Sequence, residues 1–77
     1  MISNKNTVIN MRLKQNILDI LRDNKDVRRA LEDLHNKSFY TIDRWIKEND
    51  PMLCHISSLN IISSYLKIEI DFLTEEA

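Results

Sequence analysis

Between Val27 and Asn49 two apolar patterns of helical period meet across a short break, His35-Asn36-Lys37-Ser38. Ahead of the break, Val27, Ala30, Leu31 and Leu34 recur at the spacing of one helix face, while Arg28, Arg29, Glu32 and Asp33 point away from it. Beyond it, Ser38 stands where a helix N-cap is wanted, followed by an inward set of Ile42, Trp45 and Ile46 and a stop near Asn49, ahead of Pro51. A connection this short makes the second helix leave the first at a steep angle and frees its outer face.

The remaining pattern is helical too. The chain contains no Gly and one Pro, so little interrupts a helix, and 43% of it is apolar. A helix is expected from an N-cap at Asn10 to Asp23, burying Leu13, Ile17, Ile20 and Leu21 and ending at Asn24. Asp26 is the expected cap of the next helix, and Asn24, Asn36 and Asn49 stand where left-handed residues, usually Gly, would end a helix. After a loop at 50–55, Ile56, Leu59, Ile62 and Leu66 give a fourth helix its core stripe, with Ile61 and Tyr65 off that stripe. Residues 68–76 place Ile70, Phe72 and Leu73 around a short last helix. The expectation is a compact all-α bundle of about five short helices spanning 10–77. A flexible arm over residues 1–9 precedes it, with room for a short strand at Thr7–Ile9.

At 77 residues the chain makes one small domain, near the size at which a single core just suffices. Its one cysteine, Cys54, leaves no internal disulfide, and no apolar run reaches the length of a signal peptide or membrane span. A reduced, cytoplasmic setting follows as an expectation. Cys54, His55 and the distant His35 lack the paired spacing of a structural zinc site, and there is no glycine-rich phosphate loop. No nucleophile stands beside a base in the sequence, so neither an enzyme nor a cofactor is expected.

The net charge of −1 conceals an asymmetry. Residues 1–47 carry ten Lys or Arg against six Asp or Glu, a balance of +4, and residues 48–77 carry one Lys against six acids, a balance of −5. One end of the molecule can therefore meet phosphates while the other faces solvent or a partner.

Two stretches, SFYTIDRWI at 38–46 and ISSLNIISSYLKIEIDFL at 56–73, resemble the lambda-repressor or Cro-like (XRE-type) helix-turn-helix family. The first is similar to its serine-capped recognition helix, the second to its last helices; with the first helix the resemblance spans 10–74. Where that family carries Ala in the first helix of the motif and Gly in the turn, this chain has Glu32 and Asn36, with Ala30 two positions early. The resemblance implies a lambda-repressor-like fold and sequence-specific binding of double-stranded DNA by a phage- or bacterial-type transcriptional regulator, with segment 38–48 in the major groove. A homodimer would read two half-sites.

On that reading the base-edge candidates are Phe39, Tyr40, Asp43, Arg44 and Lys47, with Arg44 foremost because a guanidinium can donate two hydrogen bonds to guanine. Asp43 would hold Arg44 in place. Phosphate contacts fall to Arg28, Arg29, Lys37 and Ser38, the last beside backbone amides at a helix start. Lys5, Arg12 and Lys14 would extend the basic surface along the arm, unless that segment is an ordinary disordered start. Ile61, Tyr65 and Phe72 are the apolar residues left over for a dimer contact. The competing expectation is a helical protein-interaction module on the same scaffold, favoured by the near-zero net charge and by Glu32 and Asp43. RNA binding ranks third, because few aromatics are arranged for stacking.

Overall fold

The computed structural model describes residues 11–76. Strand β1 (Met11–Leu13) is followed by α1 (Gln15–Asp23), α2 (Lys25–His35), α3 (Phe39–Glu48), α4 (Ile56–Leu66) and β2 (Thr74–Glu76). Short 3-10 turns at Pro51–Cys54 and Ile70–Phe72 join the later elements. The result is a mostly helical globule rather than an all-α bundle of five helices. The expected arm at 1–9, the strand at Thr7–Ile9, the cap at Asn10 and Lys5 all lie outside the described residues.

The two ends of the described chain pair with each other. β1 and β2 run antiparallel, with Met11 opposite Glu76, Arg12 opposite Glu75 and Leu13 opposite Thr74. This sheet displaces both terminal helix expectations. The first helix starts at Gln15, and the tail makes only a 3-10 turn before β2. The later start also changes which face of α1 is inward: Ile17, Leu18 and Leu21 are buried, while Ile20 is 39% exposed. Arg12 and Lys14 are thereby built into the fold rather than into an arm. The Arg12 guanidinium pairs with Glu75 at 3.0 Å across the strands, and Lys14 is the α1 N-cap.

Helix boundaries follow local hydrogen-bonding chemistry. Asn24, not Asp26, caps α2: its Oδ1 accepts from the Val27 amide at 3.1 Å. Asp26 then sits in the first turn, where its charge complements the helix dipole. Asn24 is accordingly extended, at φ −107° and ψ 98°, and not a left-handed stop. Asn36 and Asn49 do take left-handed conformations, at φ 53° and 52°, and Lys67 joins them at φ 60° at the end of α4. Ser38 caps α3 by accepting from the Thr41 amide.

The core is filled by Val27 and Leu31 from α2, Ile42, Trp45 and Ile46 from α3, and Leu59 and Ile62 from α4. Leu13, Leu53 and Leu73 close it at the sheet and the 3-10 turn. Leu34 and Ile56, expected inside their elements, are respectively 41% and 62% exposed, and Phe72, left over in the sequence for a dimer contact, is 60% exposed.

One contact ties the sheet to α3. The Lys14 amide donates to the Leu73 carbonyl at 3.0 Å, so in an antiparallel ladder Leu13 occupies a non-hydrogen-bonded position and its own amide and carbonyl point away from β2. Asn49 takes both. Its Oδ1 accepts from the Leu13 amide at 3.2 Å, and its Nδ2 donates to the Leu13 carbonyl at 2.9 Å. A side-chain amide thus acts as a third strand one residue wide. This is why Asn rather than Gly serves at this left-handed position.

Candidate nucleic-acid interface

α3 separates its residues by face. Ile42, Trp45 and Ile46 are buried, while Phe39 and Tyr40 are 48% and 82% exposed and Arg44 and Lys47 are open to solvent. Asp43 is half-buried. All five residues expected to meet bases therefore lie off the core face. The turn ahead of them is compact: the Asn36 and Lys37 amides both donate to the Glu32 carbonyl, closing the end of α2, and Ser38 opens α3. Lys37 and Ser38 are exposed.

The angle between α2 and α3 is held from behind by His35. Its ring meets Trp45 edge-on, with centroids 5.0 Å apart and planes at 84°. Its Nε2 lies 2.7 Å from Ser58 Oγ, and that buried hydroxyl donates to the Met52 carbonyl at 2.9 Å. Since the carbonyl can only accept, the serine proton is committed to it, and His35 Nε2 must be the nitrogen that carries hydrogen. One imidazole thereby links α2, α3, α4 and the 3-10 turn. The sequence offered His35 only as an improbable metal ligand; among the described residues no group of three or more His, Cys, Asp or Glu is placed to hold a metal.

Burial, then the positive charges of His55 and Lys37, hold the His35 pKa below its usual 6.5. The unfolded chain therefore takes up this proton at higher pH than the folded one. The contribution is full above pH 6.5 and is lost as pH falls from there through the folded value. The urea midpoint is expected to fall on going from about pH 7.5 to about pH 5.5, one unit either side of the usual 6.5, more steeply for the wild type than for His35→Gln. Parallel behaviour of the two proteins would remove His35 from the account.

Charged neighbours complete the surface. The Arg28 guanidinium lies over the Phe39 ring, its Cζ 5.3 Å from the centroid, and Phe39 meets Tyr40 edge-on at 5.7 Å. Lys25, Arg28, Arg29, Glu32 and Phe39 line a shallow cleft of about 290 Å³ between α2 and the start of α3. On the outer face of α3, Lys47 pairs with Asp43 at 3.2 Å. The Arg44-orienting role expected for Asp43 is thus replaced by an ion pair one turn along, as the geometry of a helix favours. Arg44 and Lys37 form no ion pair among the described residues.

Ile61 and Tyr65 come together as expected, but with Leu34 rather than Phe72 beside them. They line a groove with Ala30, rimmed by Asp26, Arg29 and Asp33. Sequence reasoning missed Lys25, which lies one helical turn before Arg28, and it missed Leu34, which was assigned to the core. Among the described residues no helix is long and apolar enough to cross a membrane. Comparison of the chain with protein-family models, curated proteins and solved structures gives no match.

Proposed function

We propose that the protein binds double-stranded DNA in a sequence-specific manner, as a transcriptional regulator of the lambda-repressor-like kind, with α3 entering the major groove. The observation that carries this reading is the division of α3. Its apolar face is locked inward, with Trp45 against His35, and its opposite face offers Tyr40 and an Arg44 without an ion pair among the described residues, directly after a short, capped turn. Arg44 and Tyr40 read base edges, and Arg28, Arg29 and Lys37 neutralise phosphates.

Fluorescence anisotropy of labelled duplex DNA against salt tests this. Binding is expected to weaken with a log-log slope of about 0.9 per phosphate neutralised. Arg44→Ala relaxes the base preference at a cost of about 1–3 kcal/mol on the preferred site, while Lys37→Ala weakens all sequences alike and lowers the slope by about 1. Absence of binding at low salt refutes the reading, and identical behaviour of the two variants removes α3 as the reader.

A single module of this size makes few base contacts, so a dimer on two half-sites fits the proposal. The groove of Leu34, Ile61 and Tyr65 is its seat, because Asp26, Arg29 and Asp33 put both charge signs on one rim and a two-fold axis can set the Arg29 of each copy against an aspartate of the other. Leu34→Glu should then convert a dimer to a monomer in sedimentation. A wild type that is already monomeric at high concentration would exclude this contact. The same groove supports a second reading, an interaction module without DNA function, for which the salt titration is flat.

A further inference from the structure

We propose that Phe39 reads no base but is the platform that fixes Arg28 as a clamp for one backbone phosphodiester, with Lys25 and Arg29 beside it. The inference rests on the DNA-binding reading and sharpens it, since it moves Phe39 from the base-reading set to the phosphate-binding one.

Three observations lead there. The guanidinium of Arg28 lies against the Phe39 ring, and its Nε is buried without a hydrogen-bond partner. Arg28 also lacks a carboxylate partner among the described ion pairs, although Glu32 lies one helical turn away and lines the same cleft. The cation has therefore lost water on one side without gaining an anion on the other. An oxyanion at the free edge of the guanidinium restores that balance, and the hydrogen bonds it accepts are charge-assisted. Stacking on an aromatic face also restrains the guanidinium plane, so less conformational freedom is lost when the phosphate arrives.

The surroundings favour a phosphodiester. Lys25, Arg28 and Arg29 set three cations against the single carboxylate of Glu32 around the cleft. Phe39 is itself half-exposed beside the more exposed Tyr40, and the two rings meet edge-on. The division of labour is then clear: Phe39 faces Arg28 and the backbone, and Tyr40 is the aromatic left free for the groove. Glu32 acts against the clamp and limits its strength.

Anisotropy on the full chain, with a panel of duplexes of different sequence, reads this out. Phe39→Tyr keeps the ring and should keep both affinity and salt slope. Phe39→Leu is expected to weaken every duplex several-fold by the same factor and lower the slope by about 0.9, with the order of preference among sequences unchanged. Glu32→Gln should tighten binding to all of them. The Arg28 Nε–H resonance of the DNA-free protein, shifted by the ring current, should return toward its ordinary position in Phe39→Leu while the urea midpoint stays near that of the wild type. A reordered base preference in Phe39→Leu makes Phe39 a reader and overturns the proposal, as does an unchanged slope and affinity. A wild type that ignores DNA at low salt overturns the DNA-binding reading and this proposal together, whereas a wild type that binds beside an indifferent Phe39→Leu overturns this proposal alone.

Discussion

Trp45→Ala is expected to leave most of the protein unfolded, whereas Tyr40→Ala, changed on the opposite face of the same helix, folds like the wild type. Truncating a buried tryptophan costs about 3–5 kcal/mol through lost burial and the cavity left behind. A core in a domain of this size supplies about 3–5 kcal/mol of net stability, so the loss and the reserve are comparable. Trp45 is 6% exposed, and its indole is the surface against which the His35 ring sits edge-on. Its removal therefore also loosens the imidazole that links α2, α4 and the 3-10 turn. Tyr40 is 82% exposed, and its replacement should stay within about 0.5 kcal/mol. Urea unfolding followed by far-ultraviolet circular dichroism separates the two. A stable Trp45→Ala beside an unfolded Tyr40→Ala would mean that α3 is rotated by half a turn about its axis, and the proposed reading face would then be the core face.

The separation of α3 into two faces was legible in the sequence because every signal for it is local. Ser38 and Asn49 mark the ends through their own hydrogen bonding and backbone preference, and Ile42, Trp45 and Ile46 sit at one helical period. The sheet was not legible. Arg12 and Glu75 are 63 positions apart, and no window of helical length contains both. Missing the strand then shifted the reading of α1, which is why Ile20 was placed in the core where Leu18 belongs.

Residues at the proposed interface divide the same way. The exposure of Tyr40, Arg44 and Lys47 follows from the helical period alone. The partner of Asp43 was also available in principle, since the fourth position along a helix lies within reach of a carboxylate and the next position does not. The Arg28–Phe39 stack depends on the angle between two helices, and the His35–Ser58–Met52 chain on three elements meeting. Neither is encoded in any single segment. The polar groups that fix tertiary angles are thus the ones a linear pattern hides, even when the apolar stripes that they orient are plain.

Asn49→Ala is expected to cost about 2–4 kcal/mol, close to the effect of losing a core side chain, although Asn49 is only half-buried. Two contributions combine. The Leu13 amide and carbonyl both lose their partner on the side away from β2, and a partly buried donor left unpaired costs about 1–3 kcal/mol. The left-handed backbone at φ 52° adds about 1 kcal/mol once the residue is Ala. Asn49→Gly isolates the first contribution, because glycine accepts the same backbone without the steric penalty. Asn49→Asp keeps an acceptor for the Leu13 amide but turns a carboxylate oxygen toward the Leu13 carbonyl, so it should not restore the wild type. The expected order of urea midpoints is wild type first, then Gly and Asp together, then Ala, with amide exchange at Leu13 accelerated in the Gly and Ala variants, which lose its acceptor. If Asn49→Gly matches the wild type in both measurements, the side chain contributes only its backbone tolerance. The anchoring of the sheet to the end of α3 must then come from Leu13 packing alone.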